Sequence, residues 1–496
     1  MQPNNSSSNN HIFVHSGGWY AKVLQQKRDF EFLFSIVFGS LYFCYHFLRR
    51  LIFPYKQTER VLSIGREINE YDEELEVIGV LDSELKKHLH LIGGTGRGKT
   101  TLLINMFIQL TMWGRGLIVI DPKGDLVDAA MRYIPAERIE DVVVFDPTDQ
   151  MFATGFNIFE AVPASERSRL AGEIVLIFKK ITGHGVWGPR LDSVLRLAIM
   201  ALLEVPGSTM LDLYYFLTDE SYRLALLTQV TDRFVKDYWL KTFAAFSDNQ
   251  QTTILSPLLN KIEPWLSYPE ARRILGQPNS TIDLKEIMDK GKILLVCIPQ
   301  GILGEDLSAL IGALVMTMVQ MVVMHRAALP ITQRTLVHLM IDEFQNFTTS
   351  SLETLLSMAR SFGLSVICAN QHDAQLTPEL IASLDSNCAV RIACALDGFD
   401  YLEIMQILQD INQPEVRVRP LLPPHPGSQE AAKDIQLLSQ LKYGVPVTDV
   451  EAMLELKWNL RKRIVTIPLR ASVINQRTAR PVPTQQLPEV LTQYGG

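Results

Sequence analysis

The 496-residue sequence predicts an α/β fold, a parallel sheet covered by helices on both faces and interrupted by an all-α insertion. Three observations carry that prediction. Short apolar runs alternate with helical stretches on both sides of residues 163–289. One of those runs passes through a glycine-rich loop directly into a helix, the connection of a parallel βα unit. Between Pro163 and Asp289 the strands stop, and apolar residues recur at helical spacing instead.

Bulk properties narrow the possibilities. The chain is too long for one simple core, so two or three domains are expected. A formal net charge of -7 gives no global sign of a nucleic-acid binder, and any such surface would have to be a local basic stripe. Five cysteines include no Cys-x-x-Cys pair, and Cys297 and Cys368 sit in apolar runs. Reduced, structural thiols in a cytoplasmic body fit that usage better than disulfides or zinc.

Residues 1–29 read as a polar tail, rich in Asn and Ser from Asn4 to Asn10. Phe32 to Leu48 then runs without a charge and is closed by Arg49 and Arg50; Tyr42, Tyr45 and Tyr55 suit a headgroup belt. A membrane-spanning helix is expected within residues 30–53. Its apolar run, about 17 residues, lies at the lower limit for spanning, which leaves an interfacial or buried helix as the alternative. Basic residues flank both ends, so charge alone does not orient it.

Residues 58–162 form the first part of the expected nucleotide-binding domain. A strand-prone lead-in (Thr58–Leu85) precedes strand His88–Ile92, and helix Leu102–Trp113 and strands Leu117–Ile120 and Val142–Phe145 follow. Between the first of these strands and its helix stand Gly93, Gly94, Thr95, Gly96, Arg97, Gly98, Lys99, Thr100 and Thr101. They fit G-x-x-x-x-G-K-[ST], the phosphate-binding loop of P-loop NTPases. The glycines allow backbone angles and close approaches that a Cβ forbids, so successive N–H groups can face phosphate oxygens. The positive end of the following helix favours the same anion. Lys99 would reach the β- and γ-phosphates of ATP, and the Thr100 hydroxyl would ligate Mg²⁺. Asp121-Pro122-Lys123-Gly124-Asp125 follows the next strand, where open α/β sheets place ligand-facing loops. Plain turn chemistry explains Asp121 and Lys123 equally well.

Residues 163–289 form the expected all-α domain, with helical periodicity through Leu170–Phe178 and Leu191–Ala201 and further helices to Leu275. Residues 290–418 resume the β/α alternation: strand Ile293–Ile298, helix Asp306–Arg326, strand Leu336–Ile341, helix Ser350–Ser361, strand Leu364–Ala369, a helix near Glu379–Leu384, strand Val390–Cys394 and helix Tyr401–Leu408. Residues 419–496 are Pro-rich, then mixed, then a polar tail expected to be disordered.

The second strand of that later part ends in Asp342-Glu343, the expected partner of the phosphate loop. Asp342 would hold the hydrated Mg²⁺ from its outer shell, and Glu343 would be the general base for the attacking water. A helix cap is the competing use of such a pair. Gln371 directly follows strand Leu364–Ala369, placed to bond the γ-phosphate and report hydrolysis. Arg360 ends a helix, where it is either a dipole-matched surface charge or an arginine finger for a neighbouring subunit's ATP. His88, His90 and His338 lack metal-like spacing and read as structural, and Trp187 reads as a helix anchor.

Several stretches together resemble the coupling proteins of type IV secretion and bacterial conjugation, within the FtsK/HerA group of DNA-pumping P-loop ATPases. They are Ile92–Thr101, Leu117–Asp125, Phe145–Thr148 with Gly155–Asn157, Trp187–Leu203, Met340–Asn346 and Ala359–Gln371, across about residues 60–410. The resemblance implies a RecA-like nucleotide-binding domain, an inserted all-α domain facing the cytoplasm, and a ring, usually a homo-hexamer, around a DNA channel. It gives Lys99, Thr100, Asp342 and Glu343 the roles above, makes Gln371 the sensor glutamine, and places Arg360 at the proposed finger. It further implies ATP and Mg²⁺ as cofactors, DNA (single-stranded, carrying a relaxase) and the secretion channel as partners, and the bacterial inner membrane as location. The family typically carries two membrane helices around a small extracytoplasmic domain, whereas one apolar segment is seen here. A DNA pump without a secretion channel, a protein-secreting coupler, and a docking protein with a mainly structural nucleotide site are the alternatives.

Overall fold

The computed structural model describes residues 59–466, except 70, 72, 161, 183–186, 349, 395–401 and 408–415. The expected membrane segment Phe32–Leu48, the N-terminal tail and the chain from residue 467 onward lie outside the described residues.

The first half of the chain supplies β1 (Val61–Ile68), β2 (Glu74–Leu81), β3 (Leu89–Ile92), α1 (Lys99–Met112), β4 (Gly116–Asp121), α2 (Asp125–Met131), β5 (Val142–Phe145) and β6 (Phe152–Ala153). Helices follow without a strand: α3 (Ala164–Thr182), α4 (Pro189–Leu202), α5 (Met210–Thr218), α6 (Glu220–Leu227), α7 (Asp248–Ser267), α8 (Pro269–Leu275) and α9 (Leu284–Lys290), with shorter turns among them. Alternation then resumes with β7 (Ile293–Cys297), α10 (Glu305–His325), β8 (Val337–Ile341), α11 (Ser350–Met358), β9 (Leu364–Asn370), α12 (Pro378–Asn387) and β10 (Val390–Cys394). The last described elements are β11 (Leu402–Ile407), β12 (Val416–Pro420), α13 (Gln429–Tyr443), β13 (Val445–Pro446) and α14 (Val447–Thr466).

Among the described residues, eleven strands make one sheet in the order β2-β1-β12-β11-β10-β3-β9-β8-β4-β7-β5. From β10 to β5 every neighbouring pair is parallel, and from β10 back to β2 every pair is antiparallel. Strand residues alternate between two cores, as a period of two demands. Ile118, Ile120, Leu339, Ile341, Val366 and Cys368 pack with α10 and the helices of the middle region. Leu117, Val119, Met340, Ile367 and Ala369 face the other way, onto α1 and α2. Helix α10 is apolar and long enough to cross a membrane by composition, but 83% of its most apolar window is buried here. It is the core helix of the sheet.

One expected element is corrected. The segment read as helix Tyr401–Leu408 is, where described, strand β11, pairing antiparallel with both β10 and β12. Leu402-Glu403-Ile404-Met405-Gln406-Ile407 fits either period, and the open edge of β10 decides the matter by supplying partners for its backbone groups. The sheet also reaches past residue 418, since Arg419 and Pro420 pair with β1.

The C-terminal segment, expected to be mixed, holds two helices with defined seats. Helix α13 covers the outer edge of β5, where the Ser439 hydroxyl accepts the Val144 N–H at 2.7 Å. This blocks an edge that would otherwise offer unpaired backbone groups. Helix α14 packs on α6, and its Arg461 lies 3.9 Å from the ring centre of Tyr215 on α5 and pairs at 2.9 Å with Asp219, the residue that caps α6. Cys297, Cys368, Cys388 and Cys394 are all free thiols.

Candidate active site

The glycine-rich loop sits at the C-terminal end of β3, in the middle of the sheet. Gly93 donates its N–H to Asn370 O at 3.1 Å, tying the loop to the end of β9. A Cβ on Gly93 would lie 2.6 Å from the Cβ of Cys394 on β10, so only glycine fits between these strands. Gly96 and Gly98 hold φ of 76° and 87°, the left-handed region, and Gly98 is the residue on which α1 starts. Lys99 is buried, and its Nζ donates to Gly93 O at 2.5 Å and to Gly94 O at 3.3 Å. The ammonium is thus folded back over the loop, with Thr100 and Thr101 beside it on the first turn of α1.

Two strands away, β8 ends at Ile341, and Asp342 and Glu343 follow, both 2% exposed. The Asp342 N–H donates to Ile120 O at 3.1 Å, which holds the pair against β4. Its carboxylate accepts the Glu343 N–H at 2.9 Å. Glu343 has φ 46°, a left-handed backbone rare for a residue with a side chain. That bend turns its carboxylate into a ring of three donors. Lys123 Nζ reaches Oε1 at 2.5 Å, Gln345 Nε2 reaches Oε2 at 2.8 Å, and Gln371 Nε2 spans both oxygens at 3.1 and 3.3 Å.

The electrostatics follow from this arrangement. Burial, then the charges of Glu343 and Asp121, push the Asp342 carboxyl up to about 6. Burial also pushes Glu343 upward, but the hydrogen bonds from Lys123, Gln345 and Gln371 outweigh it, leaving the group below the usual glutamate range. Burial would lower the Lys123 ammonium; Glu343, Asp342 and Asp121 together raise it instead.

The site therefore unites Glu343 with Gln371 and, adjacent to them, Asp342. It also settles the two readings of the Asp121–Asp125 loop. Asp121 does turn chemistry, accepting the N–H groups of Lys123, Leu126 and Val127 at 2.8, 2.8 and 3.1 Å. Lys123 instead points into the site. Gln345 was not singled out by the sequence; its signal is only its place two residues after Glu343. Arg360 is exposed and stands apart, in the turn Ala359–Phe362 before β9. Gln371 follows the other end of that strand, about 20 Å away by strand rise.

The histidines serve the framework. His88 Nε2 lies 2.9 Å from Leu356 O, and its Nδ1 accepts the Val366 N–H at 2.9 Å. His90 Nε2 lies 2.8 Å from Asn370 Oδ1. Trp187 donates to Asp192 at 3.3 Å near the start of α4. Among the described residues no cluster of His, Cys, Asp and Glu has the makings of a self-contained metal site.

Solved structures share this fold. The plasmid coupling protein TrwB in complex with the non-hydrolysable GTP analogue GDPNP is 15% identical, with a TM-score of 0.54 over 75% of this chain and 97% of that one. The unbound conjugative coupling protein TrwBdeltaN70 gives 15% identity and 0.53 over 76% and 93%. TrwB with ADP and Mg²⁺ gives 16% identity and 0.51 over 76% and 98%. No curated protein sequence matches the chain. The family model described as type IV secretory system conjugative DNA transfer matches residues 75–380. With the phosphate loop, strands β3, β4, β5, β7, β8 and β9 and the Asp342-Glu343 pair all inside that span, the chain belongs to the type IV secretion conjugative DNA transfer family.

Proposed function

We propose that this protein is a membrane-anchored ATPase that drives DNA, or a DNA–protein conjugate, into a type IV secretion channel. The observation that carries the reading is the placement of the Lys99 loop on β3, Gln371 after β9 and the Asp342-Glu343 pair after β8, all at one end of three adjacent strands. TrwB, with the same fold, has been seen with ADP and Mg²⁺, which supports a nucleotide in the equivalent loop here.

In this reading the loop N–H groups and Lys99 bind the phosphates, Lys99 leaving the Gly93 and Gly94 carbonyls for phosphate oxygens. Asp342 and Thr100 would hold Mg²⁺, which when bound supplies positive charge against the phosphates. A carboxyl pushed up first by burial and then by neighbouring carboxylates fits such a cation, because added positive charge offsets both the desolvation and the repulsion. Glu343 accepts the proton of the attacking water, and Gln371 fixes the plane of its carboxylate. Arg360, at the far end of the sheet from its own loop, is assigned to a neighbouring subunit's site in a homo-hexameric ring. Helices α3 to α9 are assigned to an inserted domain, and Phe32–Leu48 to the anchor in the bacterial inner membrane.

The test is ATP hydrolysis with and without single- and double-stranded DNA, beside Lys99→Ala and Glu343→Gln. DNA-stimulated hydrolysis lost in both variants is the expected result. Hydrolysis indifferent to DNA would point to protein cargo, and hydrolysis retained in Glu343→Gln would sink the assignment of the base.

A further inference from the structure

Glu343 has a problem as a base: both of its oxygens are already occupied. Lys123 and Gln371 share Oε1, while Gln345 and Gln371 share Oε2. A general base needs a free lone pair within reach of the water, so at least one donor must leave before it can act. The three donors differ in how readily they can do so. Gln345 stands two residues from Glu343 on the same turn, so it moves with its acceptor. Gln371 follows β9 directly, its N–H held by Gln375 Oε1 at 3.1 Å. Lys123 stands alone on the β4–α2 loop, its side chain 44% exposed while that of Glu343 is 3% exposed. It is also the one donor with a charge, so it is the one that a phosphate anion or solvent ions can draw away.

Resting on the reading of Glu343 as the base, we propose that Lys123 is a positioning residue that latches it. The Lys123–Glu343 ion pair holds the carboxylate away from water, and the resting rate of hydrolysis is set by how often this pair opens. The loop is built to let the lysine move without unfolding anything. Its backbone is fixed separately, by Asp121 accepting the Lys123, Leu126 and Val127 N–H groups. The Lys123 side chain can therefore swing while the start of α2 stays put. The strained φ of Glu343 keeps the carboxylate at the mouth of the latch whether the pair is closed or open.

The experiment compares the full-length chain, wild type, with Lys123→Ala, Lys123→Arg, Glu343→Gln and the Lys123→Ala/Glu343→Gln double variant, measuring steady-state ATP hydrolysis without DNA. Lys123→Ala is expected to raise kcat about ten-fold, the low end of what a hydrogen bond to a charged group is worth, with KM for ATP within two-fold, approximately. Lys123→Arg keeps the wild-type rate, and the double variant is as inactive as Glu343→Gln alone. A kcat that falls or stays unchanged in a Lys123→Ala protein with wild-type melting behaviour overturns the latch. Glu343→Gln retaining wild-type hydrolysis overturns instead the reading of the base beneath it, so the two failures are distinguishable.

Discussion

Gln371 and Glu343 come from adjacent strands, β9 and β8, and meet so that one amide nitrogen lies 3.1 and 3.3 Å from the two carboxylate oxygens. A neutral donor that spans both oxygens fixes the plane of the carboxylate without neutralising its charge. This separates it from Lys123, which touches one oxygen and cancels the charge.

The two donors therefore have opposite signs of effect. Gln371→Ala is expected to lower kcat by about ten- to a hundred-fold, the cost of a catalytic group misplaced by a fraction of an ångström to an ångström. Stability should change by less than about 1 kcal/mol, since Gln371 is only partly buried. Steady-state kinetics beside a urea melt checks both halves of the statement.

Gly312 on α10 packs against the turn that follows Glu343. A Cβ there would lie 2.3 Å from two atoms of the Phe347 ring, which follows Glu343 by one turn. Gly312→Ala should cost about 1–3 kcal/mol through overpacking. It should also disturb hydrolysis, because the displaced ring belongs to the turn that carries Gln345. A variant that melts like wild type would show that Phe347 has room to move.

Acid should weaken the fold through three buried histidines. Burial lowers His88 and His90 to about 4 and His338 to about 3, against 6.5 when exposed. Below pH 6.5 the unfolded chain takes up protons that the folded one refuses, so stability falls as pH drops from about 6.5 to 4. The loss is about 1.4 kcal/mol per imidazole per pH unit at most. Neither ring nitrogen of His338 has a hydrogen-bond partner among the described residues. His338→Leu should therefore be neutral or stabilising at pH 7, and should remove about a third of the acid loss. Urea unfolding at several pH values reads both effects.

At the far edge of the sheet, Ser439→Ala removes the side-chain acceptor of the Val144 N–H, a group buried beneath α13. The expected cost is about 1–3 kcal/mol, the desolvation of an unsatisfied donor. Hydrogen exchange at Val144 should accelerate with it. Unchanged exchange would mean that α13 does not seal the β5 edge in solution.

Sequence alone determined the parallel core, because its strands are short apolar runs and its phosphate loop has a spacing that few other structures need. The loop that carries Lys99 and Thr100 and the strand end that carries Asp342 and Glu343 were legible for the same reason, each marked by residue type next to a strand. The region from residue 402 onward was not legible in that way. A six-residue run that suits either period became β11 only because β10 had an open edge, and α13 and α14 have modest apolar faces that gain meaning from what they cover. Tertiary structure also decided the use of Lys123 and Gln345. Lys123 is 220 residues from Glu343 along the chain, and only the pairing of β4 with β8 brings a loop lysine to a carboxylate whose backbone has been bent to meet it. Local pattern records what a residue can do; strand order decides which residue it does it with.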